Sequence, residues 1–407
     1  MSTPAAAILV INAGSSSLKF AVYAIQTPRQ QVRLYHGAIE NMDGENSARF
    51  SLLADKSTPL KDEAIDAVDQ HQAMRYLLDW LEQHSAEWRI VAAGHRLVHG
   101  GAHFTQPVRL DQAQIEQLRS YIPLAPLHMP HNLAAIEALW QQRPNLPQVA
   151  CFDTAFHHSM PELEQIFALP RQYREQGIRR YGFHGLSYEY IASVLPEHLG
   201  DQAEGRIIVA HLGHGASLCA LHRRKSMATS MSFTPLDGIP MATRPGALDP
   251  GVLLYLLREK GLSLSALETL LNHQSGLLGL SGFSGDMRQL LADPRPAAAQ
   301  AIDYFVHHTQ RTIASLAGAL GGLDALVFTA GIGENAPRIR ARICQQGAWL
   351  GIALDAEANA QNRIRISSPD SRVSVWRIAT NEELVIARHT QGFITGEAAF
   401  PEKEKRA

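Results

Sequence analysis

The chain of 407 residues carries 37 Lys and Arg against 39 Asp and Glu, a formal net charge of -2, with 45% hydrophobic and 19% charged residues. That is the profile of a soluble globular protein long enough for two domains with full cores, and it excludes the broad basic surface that nucleic acid or an anionic membrane demands. Cys151, Cys219 and Cys344 stand far apart with no CxxC pairing, which argues against a disulfide framework or a zinc ribbon and fits a reducing cytoplasm.

Residues 5–11 are an apolar run without a basic flank, too short for a signal sequence or a membrane span, and they read as a strand ending at Asn12. Gly14 and three serines form a polar turn, and residues 18–23 read as the return strand. This hairpin carries Asn12, Ser15, Ser17 and Lys19, so its backbone N–H groups, hydroxyls and cation suit a phosphate chain. A serine-rich hairpin with a solvated lysine is the plainer alternative. GxxxxGK[ST] is absent, which disfavours a P-loop fold. Met74, Leu77, Leu78 and Leu81 predict a helix over 71–84, and 90–93 predict a strand with Arg96 just after it in GHRLVHGG. His95, His99 and His103 stand at intervals of four, but Gly100 and Gly101 interrupt any helix that would align them, so no zinc site is expected. A proline-containing bend over 122–130 precedes a strand at 149–152, which delivers Asp153 where α/β domains commonly place functional carboxylates. His184, in YGFHGLS, reads on its own as a packed core histidine.

After a loop at 201–205, the strand-turn-strand pattern returns at 207–221 as IIVAHLGHGASLCAL, with Gly213 and Gly215 open to close approach by a ligand. The recurrence suggests a duplicated α/β domain. Arg244 in MATRPGALDP and Arg288 beside Asp286 join Arg96 as candidates for fork-like binding of carboxylate or phosphoryl oxygens, against the common role of an arginine as an ion-pair partner. A helix over 297–320 ends at Gly321 and Gly322, and a strand over 323–329 runs into a third glycine turn, AGIGENAP, with Asn335 expected to cap a helix that has Pro337 in its first turn. Residues 373–378 predict a last strand, and 401–407 read as a charged tail.

INAGSSSLKF, GHRLVHGG, APLH, FDTAFH, YGFHG, HLGHGAS, SGLLGLSG, AGIGEN and ATNEELVIARHT, in this order, resemble the acetate kinase family of the acetate and sugar kinase, Hsp70 and actin superfamily. The resemblance implies an α/β fold of duplicated ribonuclease-H-like (actin-like ATPase) domains with an interdomain active-site cleft, the first domain being 1–154 plus 388–407 and the second 155–387. It implies reversible phosphoryl transfer between ATP and acetate with Mg²⁺, or Mn²⁺ in its place, giving ADP and acetyl phosphate. It also implies a cytoplasmic homodimer with no nucleic-acid or membrane partner. By matching motif, Asn12 and Glu382 hold the metal, and Lys19, Ser15 and Ser17 address the phosphates. Three segments correspond to nucleotide-binding stretches: His211, Leu212, Gly213, His214 and Gly215; Asp286, Met287 and Arg288; and Gly331, Ile332, Gly333, Glu334 and Asn335. Arg96 binds the acetate carboxylate, His184 and Arg244 stabilise the transferring phosphoryl group, and Asp153 is the catalytic carboxylate. Val98, Leu127, Phe183 and Pro235 line the pocket for the methyl group.

A carboxylic acid with a pKa of about 4 to 5 is already ionised at neutral pH, so acetate needs no general base. Asp153 is therefore read as orienting Arg96, Arg244 or a metal-bound water. The chain departs from the family pattern at His214, where Asn is usual, at Met129 and His131 after APLH, at Pro245 beside Arg244, and in GLSY after His184. A propionate kinase of the same family is the alternative. NAGSSS rather than NPGSTS disfavours a butyrate kinase, and no spare segment exists for the peptide-binding domain of an Hsp70-like switch.

Overall fold

The apolar run near the N-terminus is strand β1 (Ala5–Ala13), largely buried, and it returns into β2 (Ser17–Thr27). The computed structural model describes residues 4–27, 30–42, 47–54, 59–67, 69–84 and 88–396. Contacts divide the chain into two units, Met1–Ala155 with Asn381–Ala407, and Phe156–Thr380. The expected tail at 401–407 lies outside the described residues.

In the first unit, β3 (Gln30–Glu40), β4 (Ala48–Ala54), β5 (Pro59–Ile65), β6 (Trp88–Leu97), β7 (Val108–Arg109) and β8 (Gln148–Phe152) join the hairpin in one sheet of order β5-β4-β3-β2-β1-β6-β8-β7. Strands β1 to β5 form an antiparallel meander, whereas β1, β6 and β8 run parallel. Strand β6 extends to Leu97, so Arg96 sits within the strand and not after it. The predicted helix is Gln70–Gln83, with the Asp69 carboxylate accepting from the Gln72 N–H and with Met74, Leu77, Leu78 and Leu81 buried. That stripe packs with Phe20, Phe50 and Trp80 in the core. The expected bend at 122–130 is shorter: a helix begins at Met129 with Pro130 in its first turn, where the missing N–H costs nothing. The C-terminal helix Glu382–Thr395, continuous across residue 387, lies on β1, β6 and β8. Gly94 permits this, since a Cβ there would stand 2.3 Å from Thr390 Oγ1 and 2.5 Å from Ile386 Cγ2.

The second unit is built on β9 (Arg206–Leu212), β10 (Ala216–His222), β11 (Lys225–Thr229), β12 (Ala325–Thr329) and β13 (Ser374–Arg377), in the order β11-β10-β9-β12-β13. Three antiparallel strands followed by two parallel ones repeat the β3-β2-β1-β6-β8 core of the first sheet. The duplication suggested by the two hairpins is thus a duplication of sheet order. Helix Pro296–Leu320 ends on Gly321 in the left-handed conformation. Two local expectations differ. Residues 201–205 largely form a 3-10 turn, Gly200–Glu204. AGIGEN is itself helical, Ala330–Asn335, and the following helix Pro337–Gln346 takes Ala336 as its N-cap with no side-chain cap, while Asn335 Nδ2 donates back to the Gly331 carbonyl.

Candidate active site

Adjacent parallel strands gather side chains at their C-terminal ends, and in the first unit β1, β6 and β8 bring Asn12, Arg96 and Asp153 together. Arg96 Nε and Nη2 donate to the two carboxylate oxygens of Asp153 at 3.1 and 2.6 Å, and Nη1 donates to Asn12 Oδ1 at 3.1 Å. Glu382 Oε2 lies 3.9 Å from Arg96 Nε. The Asp153 side chain is 2% exposed and that of Arg96 22%, so the pair is largely shielded from solvent. Burial opposes the guanidinium charge, and Asp153 and Glu382 more than offset it, holding the Arg96 pKa above its ordinary value. A guanidinium has five N–H groups. Three are used here, which leaves two for a ligand.

Glu382 begins its helix behind the N-cap Asn381, whose Oδ1 accepts from the Leu384 N–H at 3.0 Å. An acidic first turn matches the helix dipole. Burial raises the pKa of the next residue, Glu383, and the charge of Glu382 raises it further, against the pull of Arg33 and Lys19. Lys19 is exposed and pairs directly with Asn12 across the β1–β2 ladder, so both project from one face. Ser15 is exposed and Ser17 half-buried in the hairpin turn. Val98 is buried, with its N–H donating to Asn132 Oδ1, whereas Leu127 is 45% exposed.

In the second unit the β9–β10 turn, residues 213–215, is flanked by His184 and Arg244. His184 has φ of 56°, a left-handed conformation uncommon outside glycine, and it begins the helix Gly185–Leu199. Its Nδ1 lies 2.8 Å from Ser217 Oγ, which lies 2.5 Å from Tyr188 Oη. The ring stacks on His211 with centroids 4.2 Å apart, and His211 Nδ1 lies 2.8 Å from Ser187 Oγ. Arg244 Nη1 donates to the Pro235 carbonyl at 3.0 Å. A Cβ on Gly215 would stand 2.9 Å from Arg244 Nη2 and 3.3 Å from His184 Nε2. Both side chains therefore converge over that glycine.

Beside the turn is a cavity of about 850 Å³ whose lining includes Gly213, His214, Phe283, Asp286, Arg288 and Gly331. All three expected nucleotide segments meet there, yet not every residue in them offers a side chain. Leu212 is buried in the core, whereas Met287, also buried, lines the cavity. Asp286 caps the helix Met287–Ala292 and pairs with Arg288, which is itself 91% exposed. Glu334 Oε1 accepts from the Ala330 and Thr380 N–H groups, holding the helix Ala330–Asn335 in place. Phe183 is buried, with its carbonyl 2.9 Å from His157 Nε2. Ser217, Tyr188 and Ser187 were not expected from the sequence; the i, i+4 spacing of His184 and Tyr188 at a helix start was the available signal.

A model of the acetokinase family matches residues 7–388. An acetate kinase of Rhodopseudomonas palustris is 54% identical over 387 residues, covering 94% of this chain and 97% of its own length. Among solved structures, a propionate kinase from Francisella tularensis superposes with a TM-score of 0.89 at 39% identity, covering 95% of this chain and 99% of its own. An acetate kinase of Porphyromonas gingivalis superposes with a TM-score of 0.87 at 35% identity, covering 96% and 100%.

Proposed function

The chain belongs to the acetokinase family, and from that premise we propose that it is an acetate kinase, transferring the γ-phosphoryl group of ATP reversibly to acetate with Mg²⁺ and giving acetyl phosphate and ADP. We read its two ribonuclease-H-like domains as dividing near residues 155 and 380, where the contacts divide the chain, and not at 387 within the C-terminal helix. The observation that carries the reading is the convergence of His184 Nε2 and Arg244 Nη2 over Gly215, beside a cavity of nucleotide size. Phosphoryl transfer passes through a loose transition state whose charge spreads over equatorial oxygens, so catalysis is chiefly positioning and electrostatics. His184 and Arg244 supply donors for those oxygens. The glycine turn and the helix Ala330–Asn335 present backbone to the phosphate chain. Acetate arrives ionised and takes the two remaining N–H groups of Arg96, whose plane Asp153 fixes, so Asp153 orients rather than moves a proton.

Asn12 and Glu382 would hold Mg²⁺: both offer oxygen, and Mg²⁺ typically takes one or two carboxylates with substrate phosphates completing its shell. When bound, the ion would neutralise charge on the phosphate oxygens. Lys19, on the same face as Asn12, adds a cation for those phosphates. Propionate is the second acceptor to weigh, because a solved structure named a propionate kinase is among the similar ones. A methylene is worth only about 1 to 3 kcal/mol of discrimination.

A hydroxamate assay for acyl phosphate with Mg-ATP and acetate, propionate or butyrate tests this. Acetyl hydroxamate should form and should be lost in Arg96→Ala; no product from any acid would refute the kinase reading. The helix Pro250–Arg258 has no buried residue, and Val252, Leu254 and Tyr255 are exposed on it. That apolar face supports a homodimer, which light scattering would detect. The three cysteines, buried and far apart in the sequence, support a cytoplasmic setting, and no helix of the described residues is long and apolar enough to cross a membrane.

A further inference from the structure

We infer that Ser217 and Tyr188 are positioning residues, a buried hydroxyl pair that keeps the proton of His184 on Nε2. The inference rests on the reading of His184 as a phosphoryl contact and adds how its donor is made. Ser217 and Tyr188 are both 0% exposed. Ser217 Oγ stands between Tyr188 Oη at 2.5 Å and His184 Nδ1 at 2.8 Å. A serine hydroxyl has one proton to give and two lone pairs to accept with, so Ser217 either donates to His184 Nδ1 or accepts from it.

The phenol is the stronger acid of the two hydroxyls, with a pKa of about 10, which favours Tyr188 donating to Ser217 Oγ. The Ser217 proton is then directed to His184 Nδ1. A neutral imidazole accepting at Nδ1 carries its proton on Nε2. Nε2 is the atom that converges with Arg244 Nη2 over Gly215. The opposite direction would place a lone pair at Nε2, turned toward the oxygens of an anionic ligand and beside a guanidinium. Such a histidine would accept from Arg244 instead of donating to phosphate.

One further contact holds the ring in place. His211 stacks on it at an interplanar angle of 19°, and His211 is itself held by Ser187, whose Oγ lies 2.9 Å from Thr380 Oγ1. The left-handed backbone at His184 sets the direction from which the ring enters this arrangement.

The test uses the full chain labelled with ¹⁵N-histidine, with the His184 signals identified by their loss in His184→Gln. Wild type should show an unprotonated Nδ1 and a protonated Nε2. Ser217→Ala should release that preference and lower kcat about tenfold, short of the roughly 10²–10³ for losing a transition-state donor outright, with KM for ATP and acetate within about twofold. Ser217→Thr, which keeps the hydroxyl, should restore kcat. Tyr188→Phe should shift both readouts the same way by less, and it serves if Ser217→Ala does not fold. A wild-type signal with the proton on Nδ1, or Ser217→Ala with wild-type kcat, would overturn the inference. Absence of acyl phosphate from the wild type would instead sink the kinase reading, and the tautomer would still decide this one.

Discussion

Gly215→Ala is the most direct probe of the proposed phosphoryl site. The added Cβ would lie 2.9 Å from Arg244 Nη2 and 3.3 Å from His184 Nε2, inside the roughly 3.5–4.0 Å of optimal contact between heavy atoms. Arg244 must retreat by about half an ångström or more, and His184 by a few tenths. Gly215 is not among the glycines with positive φ, so its backbone admits alanine, and the fold should keep its melting temperature within a few degrees. The cost then falls on the reaction. A misplacement of about 1 Å costs on the order of 10²-fold, so a half-ångström shift of one donor predicts a kcat lower by roughly ten- to a hundredfold with KM for acetate unchanged. Gly331→Ala is the control, since nothing lies within 4 Å of its Cβ position; any effect there should appear in the nucleotide KM. The hydroxamate assay reads both variants. Wild-type kcat in a folded Gly215→Ala protein would show that the two donors do not act over this glycine.

Asp153→Asn keeps the shape of the Arg96 clamp and removes its charge. Removing one partner of a buried ion pair costs about 3–5 kcal/mol, and the solvent access of Arg96 puts this pair at or below the lower end. The denaturation midpoint should fall accordingly, and the rate should drop by more than about tenfold at every pH between 6 and 9; an unchanged acetate KM would refute the orienting role. His95, His99 and His157 provide a stability prediction, because burial lowers each pKa from 6.5 to about 4. Burial favours the neutral form of all three, and for His99 the Gly101 N–H donating to Nδ1 requires that nitrogen to be unprotonated. As pH falls below 6.5 the unfolded chain takes up protons the folded one refuses, so each histidine withdraws up to about 1.4 kcal/mol per pH unit until about pH 4. Their stabilising contribution is present above pH 6.5 and lost below it. A melting temperature flat from pH 7 to 5 would refute this.

The parts of the site legible in the sequence are those that local pattern dictates. An apolar run that stops at a polar residue or a glycine turn announces a strand end, which is how Asn12, Asp153 and residues 213–215 were found. What escaped depends on neighbours. Strands β3 to β5 include largely exposed segments such as PLKDEAI, and they are strands because each pairs with the next. AGIGEN looked like a turn because glycine is a poor helix former; it is helical because Glu334 reaches back to the N–H groups of Ala330 and Thr380, the latter far along the chain. Arg96 was found as a cation, but its clamp of Asn12 and Asp153 follows only from the β1-β6-β8 order. Likewise Ser217 becomes a partner of His184 only once a strand of one hairpin lies against the start of a helix.

Sheet order also explains how one duplicated plan yields two different chemistries. The last ladder pair of the first hairpin is Ala13 with Leu18, and the pair before it is Asn12 with Lys19. In the second hairpin the last pair is Leu212 with Ala216, and the pair before it is His211 with Ser217. The same rung thus bears an amide and an ammonium in one unit and an imidazole and a hydroxyl in the other. Partners on one rung share a face, so each rung sets the polarity of the surface beside its turn. On the proposed function, the first rung can address metal and phosphate through the Asn12 amide oxygen and the Lys19 ammonium. The second rung offers no fixed charge; its own residues serve to orient His184, which meets the phosphate oxygens together with the glycine backbone and Arg244. That division requires glycine where the donors converge in the second hairpin, and tolerates a row of serines in the first.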